Sequence, residues 1–285
     1  ASMQDVLEQE TVTRISEAEA DYLRGGNEPL RSSILTSNSD YLNNPRFRDV
    51  YAQMGLKKDG HDLPGAYLIP DINRAFAEVT DGPRLFALLE EERARLPEFA
   101  EWLDARYTSS FTAESLQGYA PGTLGARMHD FIASSGMSID FMFLGEAEND
   151  YDYLNKRRIQ NHDIEHMVTG LDPSPVGETA LIVAHTIMVS NYFSAEFASE
   201  LNRFGLFLTS TGLMRMACHY GHVVPAYLDG IARGRALGEK QKRPLFMVKW
   251  EDYLDWPIAD IRKEFRFEDG PEEGHWTWTF EASKG

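Results

Sequence analysis

Apolar residues return every three or four positions through much of this chain: Ile72, Phe76 and Val79, then Leu85, Leu88 and Leu89, and later Leu181, His185, Met188 and Tyr192. That period lines them up on one face of a helix, and such a face must be covered by another element. Punctuation falls where helices should start or stop. Asp71 precedes INRAFAEV, DGP (81–83), APGT (120–123) and DPSP (172–175) interrupt the pattern, and Pro257 opens IADIRKEF. The spacing predicts roughly eight to ten helices in an all-α, single multi-helix domain. Period-two alternation is convincing only in HWTWTF, residues 275–280, which predicts a short extended C-terminal tail with Trp276, Trp278 and Phe280 on one face. TSNSDYLNNP (36–45) and GEAENDYD (145–152) read as loops.

With 285 residues and 42% hydrophobic content, the chain can fill a core of its own. Its formal net charge is -17, from 45 acids and 28 bases, so a polyanion would be repelled over most of the surface and no nucleic-acid partner is expected. The single cysteine, Cys218, fits a reducing compartment and excludes a thiolate zinc cluster. Any metal must therefore sit on nitrogen and oxygen. Ala1 and Ser2 before Met3 read as a cloning remnant, and the acids that follow argue against a signal or transit peptide, which predicts a cytoplasmic protein. The most apolar run, ALIVAHTIMV from 180 to 189, is half the roughly 20 residues a spanning helix needs, so it predicts a buried helix.

NHDIEHMVTG, residues 161–170, holds two of the eight histidines of the chain. On a helix over 155–169, His162 and His166 are four residues apart and project from one face about 6 Å from each other, within reach of one cation. Asp163 borders that face and Glu165 is expected to point to solvent. GLDPSPVGE then breaks the helix, and a hairpin would return Glu178 to the histidines. His162, Asp163, His166 and Glu178 would be a donor set for Zn²⁺, Fe²⁺ or Mn²⁺, with Mg²⁺ a further candidate. The same residues on a solvated helix face would bind nothing. His185, inside the apolar run, is expected to be a satisfied core histidine, and His219 with His222 a structural pair. A His-Asp metal phosphohydrolase would need His129 and Asp229 as further ligands. A ferritin-like di-iron site would need two Glu-x-x-His motifs, one on each of two helices, for which Asp163-x-x-His166 is a weak match.

NHDIEHMVTGLDPSPVGETAL resembles the signature of the coenzyme Q biosynthesis protein 4 family, H-D-x-x-H followed eleven residues later by Glu, with glycines at the positions of Gly170 and Gly177. YAPGTLGARMHDFI (119–132) is similar to its Pro-x-Gly-Thr-x-Gly segment. GIARGRALGEKQKRPLFMVKWEDYLDWPIADIRKEF is similar to its basic stretch and last helices. The likeness divides the chain into an arm (1–69), the family-like helical domain (70–267) and an aromatic tail (268–285), the arm and tail departing from the family. The resemblance implies a helical fold and a divalent metal, zinc first, on His162, Asp163, His166 and Glu178. Asp163 and Glu178 would be the carboxylates available to chemistry. It implies a role in ubiquinone biosynthesis, either replacing the C1 carboxylate of a prenylated or lipophilic hydroxybenzoate by hydroxyl, as an oxidative decarboxylase, or organising other quinone-biosynthesis proteins as a lipid-binding scaffold. A paralogue acting on another aromatic or isoprenoid substrate is the third reading.

A lipophilic substrate needs an apolar groove, for which ALIVAHTIMVSNYF and FIASSGMSIDFMFL are the candidate walls, though plain core is their other use. Arg157 and Arg158, one turn before the metal helix, are candidates to hold a substrate carboxylate. Arg233 and Arg235, in a basic island with Lys240, Lys242 and Arg243, are candidates for phospholipid headgroups at a peripheral contact with the inner membrane. Helices of this kind commonly pair, so a homodimer is expected. The aromatic tail is expected to dock on the protein itself.

Overall fold

The computed structural model describes residues 15–25, 37–57, 66–136, 142–143 and 145–282. The chain ends and the start of FIASSGMSIDFMFL's second half, with the expectations that fall on them, lie outside the described residues. Within them the fold is all-α, with no strand. Thirteen α-helices follow one another: α1 Glu17–Leu23, α2 Asp40–Asn43, α3 Pro45–Leu56, α4 Ile69–Val79, α5 Gly82–Arg95, α6 Pro97–Ala105, α7 Leu124–Ser135, α8 Asp150–Thr169, α9 Pro175–Tyr192, α10 Ala195–His219, α11 Val224–Glu239, α12 Ile258–Glu264 and α13 Trp278–Ala282. Nine of them run nine residues or longer, and the other four are too short for an apolar period to announce them.

Local chemistry sets the boundaries. Asp81, Thr123 and Ser174 each accept a backbone N–H of the first turn of α5, α7 and α9, at the breaks the sequence marks. The stretch expected to be a loop at 36–45 instead supplies caps: Ser39 caps α2 and Asn44 caps α3, because Ser and Asn serve helix starts as readily as turns. Asp71 proves to lie in the first turn of α4, which begins two residues earlier at Ile69 with Pro70 in its opening turn.

Three buried clusters run into one another. Phe47 and Val50 of α3 meet Ile72 and Ala75 of α4 against Phe207 of α10. Leu89 of α5 and Phe99 of α6 meet Tyr153 of α8, Val189 of α9 and Phe197 of α10. Leu124, Ile164, Val176 and Leu181 meet Trp250, Phe267 and Trp276 in the largest cluster. Because α8 and α9 each serve two clusters and α10 contributes to all three, the layers form a continuous core.

The site depends on how α9 is held. Gly230, Gly234 and Gly238 form a ridge on α11 at four-residue spacing, and a Cβ on Gly234 would lie 2.1 Å from the carbonyl oxygen of Ala180. Cβ atoms at the flanking glycines would come within 2.7 Å of Val176 Cγ1 and of the Ala184 carbonyl oxygen. The two helices therefore touch backbone to backbone. The apolar run at 180–189 is buried as expected, with Ala180, Leu181, Ala184, Met188 and Val189 out of solvent. Among the described residues no helix is long and apolar enough to cross a membrane.

The tail corrects the sequence reading. Residues 275–280 are not extended: they coil through a turn into α13, with N–H groups of Thr277, Thr279 and Phe280 bonded to the carbonyls of Gly274, Trp276 and Thr277. A single strand without a neighbour would leave its backbone groups unpaired, and these local bonds satisfy them. The three aromatics consequently part company. Trp276 is 1% exposed, while Trp278 and Phe280 are 47% and 38% exposed.

Candidate metal centre

Helix α8 is unusual in burying polar side chains on several faces. Lys156 donates to the carbonyls of Phe143 and Gly145, Gln160 to that of Ser109 and Asn161 to that of Phe246. Arg157 pairs with Glu251, Nη1 to Oε1 at 3.1 Å, both side chains buried. These partners are what allow a helix with so little hydrocarbon to sit inside the protein.

At its C-terminal end the two expected histidines converge with the expected glutamate. The distances are 3.2 Å from His166 Nε2 to His162 Nε2, 3.1 Å from His166 Nε2 to Glu178 Oε1 and 3.3 Å from His162 Nε2 to Glu178 Oε2. Two glycines make the turn between them. Gly170 ends α8 at φ 78°, the left-handed region, and a Cβ on Gly177 would stand 1.9 Å from the carbonyl oxygen of Asp172. Both positions thus exclude a side chain, and the chain folds back so that Glu178 enters in the first turn of α9.

His166 is oriented from behind. Its Nδ1 lies 2.5 Å from the carbonyl of Leu171, so Nδ1–H donates there and Nε2 is the nitrogen turned to the cluster. His166 is buried, whereas the side chains of His162 and Glu178 are 40% and 39% exposed, so the cluster opens on one side. Burial works against the charged form of His162, but the hydrogen bond and charge of Glu178 outweigh it and raise its pKa to about 9. Burial would likewise raise Glu178, yet His166 and His162 hold its carboxyl far below the usual range. A cation entering the cluster takes the place of that imidazolium proton.

The donor chemistry fits a metal. Two imidazole nitrogens and a carboxylate oxygen, all within 4.8 Å of one another, make a three-donor face with room for outside ligands, suited to Zn²⁺ and acceptable to Fe²⁺ or Mn²⁺. Asp163 is not one of the converging groups; it lies half-buried beside His162, where burial pushes its carboxyl up.

The phosphohydrolase reading fails on geometry. His129 Nδ1 lies by Asp130 at 3.3 Å, Asp229 pairs with Arg233 at 3.0 Å, and neither belongs to the cluster. His219 meets the carbonyl of Gly55, and His222 lies beside Trp278. The other site candidates are placed elsewhere. Arg158 is half-buried and donates to the Leu201 carbonyl at 3.5 Å, Arg233 also donates to the Asp269 carbonyl, and Arg235 pairs with Glu239 at 2.9 Å. Lys240 and Arg243 of the basic island meet Glu268 and Glu98, acids far away in sequence.

One pair escapes the sequence reading. Glu165 is 1% exposed, not solvent-facing, and its Oε2 meets His185 Nε2 on α9. Glu165 lies off the histidine stripe on the wheel, which implies solvent only where that side of the helix is wet, and there His185 of α9 covers it. The available signal was spacing, since His185 follows Glu178 by seven residues, two turns on the same stripe.

A family model for coenzyme Q (ubiquinone) biosynthesis protein Coq4 matches residues 104–271, a span that contains the whole cluster. Among solved structures, the chain is similar to a protein of Nostoc punctiforme PCC 73102 provisionally named a ubiquinone biosynthesis protein. The TM-score is 0.60 and the identity 20%, over 80% of this chain and 99% of that one, a likeness of fold. A comparison with curated protein sequences finds no match.

Proposed function

The chain belongs to the family of coenzyme Q (ubiquinone) biosynthesis protein Coq4 and so to ubiquinone biosynthesis, and from that premise we propose that it is a metal-dependent enzyme acting on a prenylated or otherwise lipophilic aromatic acid. The observation that carries this reading is the convergence of His162, His166 and Glu178 at 3.1–3.3 Å on an open side of the protein. Zinc is the proposed metal, with iron, manganese or magnesium as alternatives. Bound there, it supplies a Lewis acid for the oxygens of a hydroxybenzoate head group.

The chain's own residues do the rest. Leu171 fixes the tautomer of His166, and the exposed edges of His162 and Glu178 leave the approach by which a ring carboxylate enters. Asp163, beside the cluster, is the group proposed to take or return a proton at the ring. The overall change breaks the bond from C1 to the carboxyl carbon, releases CO₂ and forms a C1–O bond with an oxygen drawn from water. That is a two-electron oxidation of the substrate, for which dioxygen is the proposed oxidant, its two electrons and two protons leaving as hydrogen peroxide. Ala180 and Leu181 are committed to the core, so a prenyl tail must lie along other surface. Headgroup contact remains proposed for Arg235, whose side chain is 69% exposed, and for Arg233, each by exchange with its acid partner, and carboxylate contact for Arg157 by exchange with Glu251 and for Arg158 in place of the Leu201 carbonyl. Other quinone-biosynthesis proteins and a second copy of the chain are the proposed partners.

Turnover of a synthetic prenyl-hydroxybenzoate under air, followed by CO₂ release and product mass, is the test. Activity that disappears in Glu178→Ala with the fold intact supports an enzyme. Substrate binding without turnover in the wild-type chain would instead favour the scaffold.

A further inference from the structure

We propose that Glu165 and His185 form a brace that sets the spacing of the metal-binding side chains, acting as positioning residues one layer behind them. The proposal rests on the reading of His162, His166 and Glu178 as a metal site. Its starting point is where the two helices touch. On α8 the contacts to α9 come from His162, Glu165 and His166, all within about one turn. On α9 they come from Glu178 and His185, which seven residues of helix separate by about 10.5 Å. Neighbouring residues of α8 thus reach points two turns apart on α9. The apolar side chains that the two helices share in the core set their separation, and directional polar bridges are what fix their register.

On its other side α9 is locked to α11 by the glycine ridge, with a Cβ on Gly234 only 2.1 Å from the Ala180 carbonyl oxygen. Towards α8, α9 shares apolar side chains in the core, Ile164 with Leu181 in one cluster and Tyr153 with Val189 in another. The Glu178 contacts to the histidines are themselves the ligand atoms, and a metal that occupies the cluster replaces them with bonds to itself. The directional polar contact that remains is the pair formed by Glu165, adjacent to His166 in sequence, and His185, on the stripe of Glu178.

The chemistry of the pair argues for position over stability. Glu165 is 1% exposed and the His185 side chain 15% exposed, and each keeps one buried polar atom, Glu165 Oε1 and His185 Nδ1, with no hydrogen-bond partner among the described residues. Buried ion pairs with unmet polar atoms are commonly no more stable than hydrocarbon of the same volume. A site needing only packing would be better filled by leucine. A directional contact that fixes both helices to a few tenths of an ångström is what three metal donors need, since groups that support ligands commonly contribute about 10- to 100-fold in metal affinity.

The experiment titrates Co²⁺ and Zn²⁺ into the full chain against a chromogenic chelator, with far-UV circular dichroism and thermal unfolding on every sample. In Glu165→Leu/His185→Leu, which leaves no lone buried charge, the brace predicts affinity weaker by about 10- to 100-fold and a changed Co²⁺ visible spectrum. Glu165→Gln keeps an acceptor for His185 Nε2–H and should hold affinity within about threefold of wild type. A double variant with wild-type affinity and cobalt spectrum overturns the brace, whatever its melting temperature. If that variant does not fold, His185→Gln beside Glu165→Gln serves instead, and the brace predicts weaker binding whenever the bridging contact is lost. A wild-type chain that binds neither ion would sink the metal site itself, a result distinct from equal binding by wild type and variants.

Discussion

The α8–α9 crossing and the C-terminal segment around α13 bury their side chains for opposite ends. At the crossing, imidazoles and carboxylates face one another across two helices, and Glu165 Oε1 and His185 Nδ1 stay unmet in the interior. In the tail, Trp276 buries its indole in the largest apolar cluster, leaving one polar atom, Nε1, unmet, and the backbone closes its hydrogen bonds within a few residues. Desolvated polar groups cost free energy, whereas buried indole surface gains it at about 25 cal/mol per Å². The crossing should therefore govern ligand affinity with little return in stability. The tail should govern stability and leave the ligand alone.

The sharpest way to break that contrast is Glu178→Ala. It removes one donor of three from a half-exposed position, so Zn²⁺ affinity should fall by more than about 100-fold, past what loss of a supporting group costs. Stability of the metal-free chain should change by no more than about 1 kcal/mol, since His162, left without its partner, still reaches water. A chelator competition alongside urea unfolding reads both quantities. Metal affinity that survives would remove the cluster from the function, and a large stability loss would mean that the crossing supports the fold after all.

Trp276→Ala is the converse. Replacing a side chain that is 1% exposed should cost about 3–5 kcal/mol by chemical denaturation. Zn²⁺ affinity in the folded fraction should stay within about threefold of wild type, because the hydrogen bond from His166 to Leu171 and the ridge on α11 do not pass through Trp276. A cost below about 1 kcal/mol would show the tail to be a passive appendage.

Why one region could be read from the sequence and the other could not follows from the range of the forces involved. Residues four apart on a helix face the same way whatever surrounds them, so His162 and His166 are fixed by α8 alone, and Gly170, Ser174 and Gly177 state the turn that brings Glu178 back. Alternation in HWTWTF has meaning only beside another strand, and without one the local bonds of Thr277, Thr279 and Phe280 prevail. Glu165 fails for a related reason. Wheel position distinguishes core from solvent on a helix with one wet face, and α8 is enclosed by Phe246, Val248 and Glu251 on the side away from the cluster as well. Those contacts come from some 85–94 residues along the chain, a separation no local pattern encodes. The glycine ridge on α11 was legible as G-x-x-x-G-x-x-x-G, but its partner surface, Val176, Ala180 and Ala184, shows only in the packing.

Trp278→Ala sharpens the comparison within the tail and carries the smallest expected effect. Trp278 and Trp276 are two residues apart and chemically identical, and an extended tail would bury both. In the coiled tail they turn to different sides, and Trp278, 47% exposed, meets His222 at a ring separation of 6.5 Å. A contact that loose between half-solvated rings is worth a few tenths of a kcal/mol, so the substitution should shift unfolding by no more than about 0.5 kcal/mol. The ratio between the two tryptophans is thus the informative quantity, because it cancels differences in method and buffer. Equal costs at the two positions would mean that the segment packs as a strand with both indoles inward. A cost several-fold larger at Trp276 fixes the coiled arrangement, in which the chain has traded the burial of one indole for backbone hydrogen bonds that it can close by itself.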